Sequence, residues 1–332
     1  MKPFLQRLGE SPPMTYDGGF GAGLFDRGVE LINSSLANQL HPKTVVEIHR
    51  DYIGAGAEAI GTNTFVASGL HLEMAGKNDH DVEPIVCTAV EHARLAVEQS
   101  KKQIYIAGSI GPSPGAIETD SGDTVFGIAN DKARAAHEKV ATAMADNGVD
   151  FFCVETQFSA NEAALIVDVL RQFSLPIAVN LTYKYTKDRK TGEIVYKTDW
   201  GHQPADLVEI LGHGECAGGV DLLEYVQILG TNCGAESNLV EHTGMPYAVL
   251  ATVQLRRALE SRGVKGKRIM AYPNAGVARL DKVTRRTFYD QSPEEMAQHI
   301  PGLVEEGAFV VGGCCGTGPE HIRAFCDALA SS

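Results

Sequence analysis

The chain reads as a (β/α)8 barrel, the TIM-barrel architecture, in one domain covering residues 1–332. Three observations predict it. Short apolar, β-branched runs alternate with helical patterns eight times along almost the whole length. Every unusual polar or glycine-rich cluster follows a strand and none precedes one, as expected when the chemistry sits on a barrel's C-terminal rim. No linker, internal repeat or low-complexity stretch marks a second domain. An open doubly wound sheet shares the alternation, but the one-sided clusters favour the barrel.

Taken in order, Met14 to Gly19 is a brief first strand ending in Asp17-Gly18-Gly19, and Pro42 opens a helix over 42–56. Ala59 to Thr62 is the second strand, running into Asn63-Thr64-Phe65. Residues 83–100 place Ile85, Ala89, His92, Ala93 and Ala96 on one helical face. Ile104 to Ser109 is the third strand, and 131–148 is helical. Phe151 to Thr156 is the fourth strand, with Glu155 at its tip; 159–173 is helical, and Pro176 to Leu181 is the fifth strand. Val226 to Gly230 is the sixth, ending Thr231-Asn232-Cys233-Gly234 before a helix that runs to about Arg262. Arg268 to Tyr272 is the seventh, ending Pro273-Asn274-Ala275-Gly276, and 293–306 is helical. Phe309 to Val311 is the eighth, and Thr317 with Glu320 reads as a capping box opening a last helix. Two stretches break the rhythm, 113–127 and 184–201, the second a charged hairpin-like segment carrying the only tryptophan, Trp200. Loops this long after barrel strands are read as lids over the rim, with solvated decoration as the alternative.

Composition narrows the function. A formal charge of −13 is unsuited to nucleic acid or an anionic membrane surface, both of which need clustered Lys and Arg. No apolar run approaches a membrane span and the first residues lack a signal-peptide core, so a cytoplasmic protein is expected. Seven cysteines, an odd and scattered count, fit free thiols or metal ligands better than a disulfide framework.

Three of those cysteines have a special setting. Cys233 ends the sixth strand, and Cys314 and Cys315, framed by Gly312, Gly313 and Gly316, end the eighth. A barrel brings all three to one rim. Three thiolates with an open fourth position suit Zn²⁺, a tetrahedral, sulfur-tolerant ion. A sulfur-only shell makes a poor activator of water but a good site for deprotonating an incoming thiol, and so for alkyl transfer to sulfur. Cys87, Cys153, Cys216 and Cys326 lack this setting, and Cys87 and Cys326 fall on helical apolar faces. A zinc-storage or thiol-redox protein is the non-enzymatic alternative.

Gly312-Gly313-Cys314-Cys315-Gly316, Gly230-Thr231-Asn232-Cys233, Tyr272-Pro273-Asn274-Ala275-Gly276, Asp17-Gly18-Gly19 and Val154-Glu155-Thr156 together resemble the signature set of the homocysteine S-methyltransferase family. The resemblance covers about residues 14 to 330. It implies a zinc-bearing (β/α)8 barrel that methylates L-homocysteine to methionine, with Cys233, Cys314 and Cys315 as zinc ligands. It further implies Asp17 and Glu155 near the substrate's ammonium and Gly18 and Gly19 beside its carboxylate. Asn274 is placed to fill the open zinc position before substrate arrives, or to cap the segment that follows it.

The donor is less defined. Betaine-using relatives enclose their donor with a tryptophan and a tyrosine; Asn33-Ser34-Ser35-Leu36-Ala37 and Phe65-Val66-Ala67 supply neither, so betaine is disfavoured. S-methylmethionine or another small sulfonium is preferred, with a methylcorrinoid on a separate protein, or a different thiol acceptor, as alternatives. A homo-oligomer is compatible with the sequence.

Overall fold

The computed structural model describes residues 2–234, 239–283 and 287–331. Eight parallel strands form the sheet: β1 (Met14–Thr15), β2 (Ala59–Gly61), β3 (Tyr105–Ile110), β4 (Phe151–Gln157), β5 (Ile177–Leu181), β6 (Val226–Cys233), β7 (Arg268–Pro273) and β8 (Ala308–Val311). Their spatial order is β1-β8-β7-β6-β5-β4-β3-β2, so neighbours in sequence are neighbours in space around a ring. The seam between β1 and β2 is held by Glu58 N–H donating to Thr15 C=O at 2.9 Å and Gly61 N–H donating to the Asp17 carboxylate at 2.8 Å. This is the single-domain TIM barrel that the alternating pattern predicts.

The period-two alternation of each strand divides its side chains between two cores. Phe151 and Cys153 of β4, Met270 and Tyr272 of β7, and Met14 of β1 with the following Tyr16 fill the lumen. Phe152 and Val154, by contrast, face outward into the helical layer. Glu155 therefore continues the inward column above Phe151 and Cys153 and reaches the rim by register alone. A short helix, Phe4–Leu8, lies where the sequence reading placed no element, and it plugs the barrel floor. Phe4 stacks on Phe151 with ring centroids 4.1 Å apart, and Arg7 pairs with Glu58 at 2.9 Å.

The structure adds a helix, Pro204–His213, between β5 and β6 where the sequence reading placed none, and two of the anticipated helices differ from expectation. The expected helix over 293–306 is two, Pro293–Ala297 and Ile300–Glu305. Pro301 opens the second, where its missing N–H costs nothing, but it cannot continue a helix arriving from the first. The last helix is Pro319–Ser331, and the Thr317 hydroxyl does not serve in the anticipated capping box. It donates instead to Cys314 C=O at 2.7 Å and accepts from Gly19 N–H at 3.1 Å. Segment 184–201 is an antiparallel hairpin of Lys184–Lys187 with Ile194–Lys197, and 113–127 contains one helical turn, Glu118–Ser121. Among the described residues no helix is long and apolar enough to cross a membrane.

Candidate metal and substrate site

Cys233, Cys314 and Cys315 meet at the C-terminal rim, their sulfurs all within 4.8 Å of one another. Cys233 Sγ lies 3.0 Å from Cys314 Sγ, and Cys314 Sγ lies 4.0 Å from Cys315 Sγ. A tetrahedral ion with bonds of about 2.3 Å needs sulfur–sulfur edges of about 3.8 Å; the Cys314–Cys315 edge is close to that, and the Cys233–Cys314 edge must open for an ion to sit between the three. The three thiols compete for protons at this distance. Hydrogen bonds from Cys233 and then Cys314 hold Cys315 well below the usual thiol range, while contacts with Cys233 and then Cys315 push Cys314 up.

The backbone that aims these groups is unusual. Cys233 has φ +52° and Thr156, at the end of β4, has φ +55°. Left-handed conformations are costly for residues with a Cβ and persist where the surroundings over-determine them. Here Asn232 supplies the constraint, accepting from Thr156 N–H at 2.8 Å and donating to Thr156 Oγ1 at 2.7 Å. The bend turns Cys233 out of the strand toward Cys314.

Asn274 joins the two cysteine turns. Its side-chain oxygen accepts from Cys315 N–H at 3.1 Å, and its backbone N–H donates to Cys233 C=O at 2.8 Å. Both groups thus bridge the two cysteine turns, a use that differs from the cap on the following segment that the sequence reading offered. Glycine is required beside Cys314: a Cβ on Gly19 would lie 2.5 Å from Cys314 C=O, and one on Gly313 would lie 2.3 Å from Thr317 Oγ1. Gly19 N–H is committed to Thr317, donating to its C=O as well as to its hydroxyl, both at 3.1 Å.

A cavity of about 620 Å³ opens over the cysteines, and Asp17, Gly18, Gly19 and Glu155 line it together with all three thiols. Burial raises the Asp17 carboxyl well above the usual carboxylate range, with the Gly61 N–H opposing that rise. Burial likewise pushes Glu155 up to about 7, while hydrogen bonds from Ser109 and Tyr272 pull it back. Tyr272 Oη donates to Glu155 at 3.2 Å, and Ser109 donates to the other carboxylate oxygen. Both carboxylates are short of solvation, and a neighbouring positive charge would favour their charged forms.

Sequence reasoning brought forward Asp17, Gly18, Gly19, Glu155 and the three cysteines, and the structure gathers all of them around one cavity. It missed Ser109, Thr317 and the Thr156–Asn232 pair. Ser109 and Asn232 stand at strand ends, which was a usable signal; Thr317 was assigned to a helix cap, and its bond to Gly19 joins the turns after β1 and β8, 298 positions apart in the chain. Cys153 is buried in the lumen and Cys216 is exposed; Cys87 and Cys326 are only half-buried at the edge of the helical layer.

The fold and the site define a (β/α)8 barrel with a three-thiol metal-binding face beneath a carboxylate-lined cavity. The homocysteine S-methyltransferase family matches residues 14–329, and the chain belongs to that family. It is 26% identical over 339 residues to methionine synthase of Mycobacterium leprae (strain TN), covering 96% of this chain and 24% of that protein. Against methionine synthase of Mycobacterium tuberculosis it is 28% identical over 320 residues, covering 92% and 23%. The chain thus spans about a quarter of the length of these curated relatives. Among solved structures it is similar in fold to the metallated form of the homocysteine methyltransferase MmuM from Escherichia coli, at TM-score 0.71 and 22% identity with both chains fully covered.

Proposed function

We propose that this chain is a zinc-dependent S-methyltransferase that moves a methyl group from a small sulfonium donor, S-methylmethionine being favoured, to the thiol of L-homocysteine, giving methionine. The observation that carries the reading is the convergence of three thiols and two poorly solvated carboxylates on one cavity. Cys233, Cys314 and Cys315 would hold the zinc, whose bound state supplies a fourth position for a substrate thiol and favours loss of its proton. Asp17 and Glu155 bind the substrate's ammonium, fixing the distance between that charge and the thiol. Gly18 and Gly19 keep the first turn thin enough for the substrate carboxylate to lie against backbone. Asn274 and Thr317 hold the cysteine turns in place. Loops 113–127 and 184–201 act as lids within a single barrel domain, excluding water from the reacting atoms. In the displacement the thiol sulfur forms a bond to the methyl carbon, the donor keeps the electron pair of the broken bond, and the thiol proton passes to solvent.

The match to methionine synthases favours a second reading, in which the same acceptor site meets a methylcorrinoid held by a separate protein. The deciding experiment incubates the zinc-loaded protein with homocysteine and, in parallel, S-methylmethionine, betaine and methylcobalamin, following methionine formation. Methionine from the sulfonium supports the proposal; methionine from methylcobalamin alone supports the second reading. Cys315→Ala is expected to lose metal retention and turnover together, and a metal-free, active variant would contradict the mechanism.

A further inference from the structure

The wall of the cavity beside β4 carries aromatic surface that the acceptor site does not use. Phe158, just past β4, and Trp200, at the end of the hairpin, both line the cavity and are 37% and 44% exposed. Trp200 sits in a tight turn, with Thr198 N–H donating to His202 C=O at 2.8 Å and Gly201 N–H donating to Thr198 C=O at 2.9 Å. The turn is tied to the barrel by Ala160 N–H, which donates to His202 Nδ1 at 3.1 Å. Asp199, next to it in the same lining, pairs with Lys184 at 2.7 Å. Among the described lining residues, Asp17, Glu155, Glu162 and Asp199 contribute carboxylates and none is Lys or Arg. The cavity therefore favours a cation, and its uncovered aromatic faces suit one without N–H donors.

We propose that Trp200 and Phe158 form the subsite that receives the positively charged, methyl-bearing group of the donor. The ligand class is a small sulfonium. The inference rests on the methyltransferase reading and adds the residues that determine donor specificity. It also separates donor from product. When the bond from the onium centre to its methyl breaks, the electron pair returns to that centre, which becomes neutral and loses its attraction to the rings. The demethylated product then leaves a site that still prefers a fresh cation.

Trp200 is the only tryptophan, so intrinsic fluorescence reads this position without any turnover. Titration with trimethylsulfonium is expected to give a saturable change that the similarly shaped neutral tert-butanol does not. In turnover, Trp200→Ala should raise the donor KM at least tenfold and leave the homocysteine KM unchanged, with Trp200→Phe recovering most of the loss. A response that fails to saturate, an equal response to tert-butanol, or an unchanged donor KM in Trp200→Ala overturns the subsite. Absence of methyl transfer by the wild type would defeat the methyltransferase reading instead, and the fluorescence titration would still decide whether the onium site exists.

Discussion

Replacing Gly19 with alanine tests whether the thiol geometry depends on packing between the turns that follow β1 and β8. Gly19 has φ −66° and ψ 99°, a conformation alanine adopts without strain, so any effect is steric. The added Cβ would sit 2.5 Å from Cys314 C=O, 3.3 Å from Cys314 C and 3.4 Å from Thr317 C=O. Ordinary contact begins near 3.4 Å, so the Cys314 backbone must retreat by about 0.9 Å, and its neighbours are backbone rather than flexible side chains. Metal–ligand distances tolerate only about 0.2 Å. Moving one of three ligands by several times that amount should weaken zinc about ten- to a hundredfold, the range seen when supporting contacts of a metal site are lost. The assay is competition for zinc against a chromophoric chelator, with thermal unfolding as a check on folding. Gly21→Ala is the control, since its Cβ would meet nothing within 4 Å. Undiminished zinc affinity in a folded Gly19→Ala protein would refute the claim that this turn-to-turn packing sets the position of Cys314.

Glu155→Gln keeps the shape but removes the charge facing the substrate ammonium. A charged hydrogen bond is worth about 1.5–3 kcal/mol, so the homocysteine KM should rise roughly ten- to a hundredfold while zinc content stays constant. Steady-state kinetics showing an unchanged KM would remove Glu155 from the acceptor site. His49 is fully buried against Phe20 with neither ring nitrogen hydrogen-bonded, and burial, helped by nearby His92, lowers it from 6.5 to about 3. The unfolded chain takes up this proton as the pH falls below 6.5 while the folded protein does not, so stability present above 6.5 is lost progressively toward pH 3. At pH 5 the loss is about 2 kcal/mol. His49→Leu should gain by that amount over wild type between pH 7.5 and pH 5 in urea unfolding, and parallel pH profiles for the two proteins would rule the account out.

Much of the fold was legible because strand and helix periodicities differ and because barrel topology makes sequence neighbours spatial neighbours. The site was legible where residue type and strand-end position coincided, as at Cys233, Cys314, Cys315 and Glu155. What escaped was structure whose partners lie far apart along the chain. Thr317 is a plausible helix cap by local pattern, yet its hydroxyl serves Gly19 and Cys314. The floor-plugging helix Phe4–Leu8 is too short to carry a periodic signal, and its stability comes from Phe151 and Glu58.

By itself the sequence determined which chemistry was available: three soft sulfur donors and two carboxylates at strand ends, with glycines beside them. Only the tertiary structure decided how those groups are held. The left-handed bends at Thr156 and Cys233, the Asn274 bridge between the two cysteine turns and the Gly19–Thr317 clasp each join segments that local propensity cannot relate. Ligand spacing depends on tenths of an ångström, and that precision arises only when strand ends remote in sequence but neighbouring in the barrel are packed into contact.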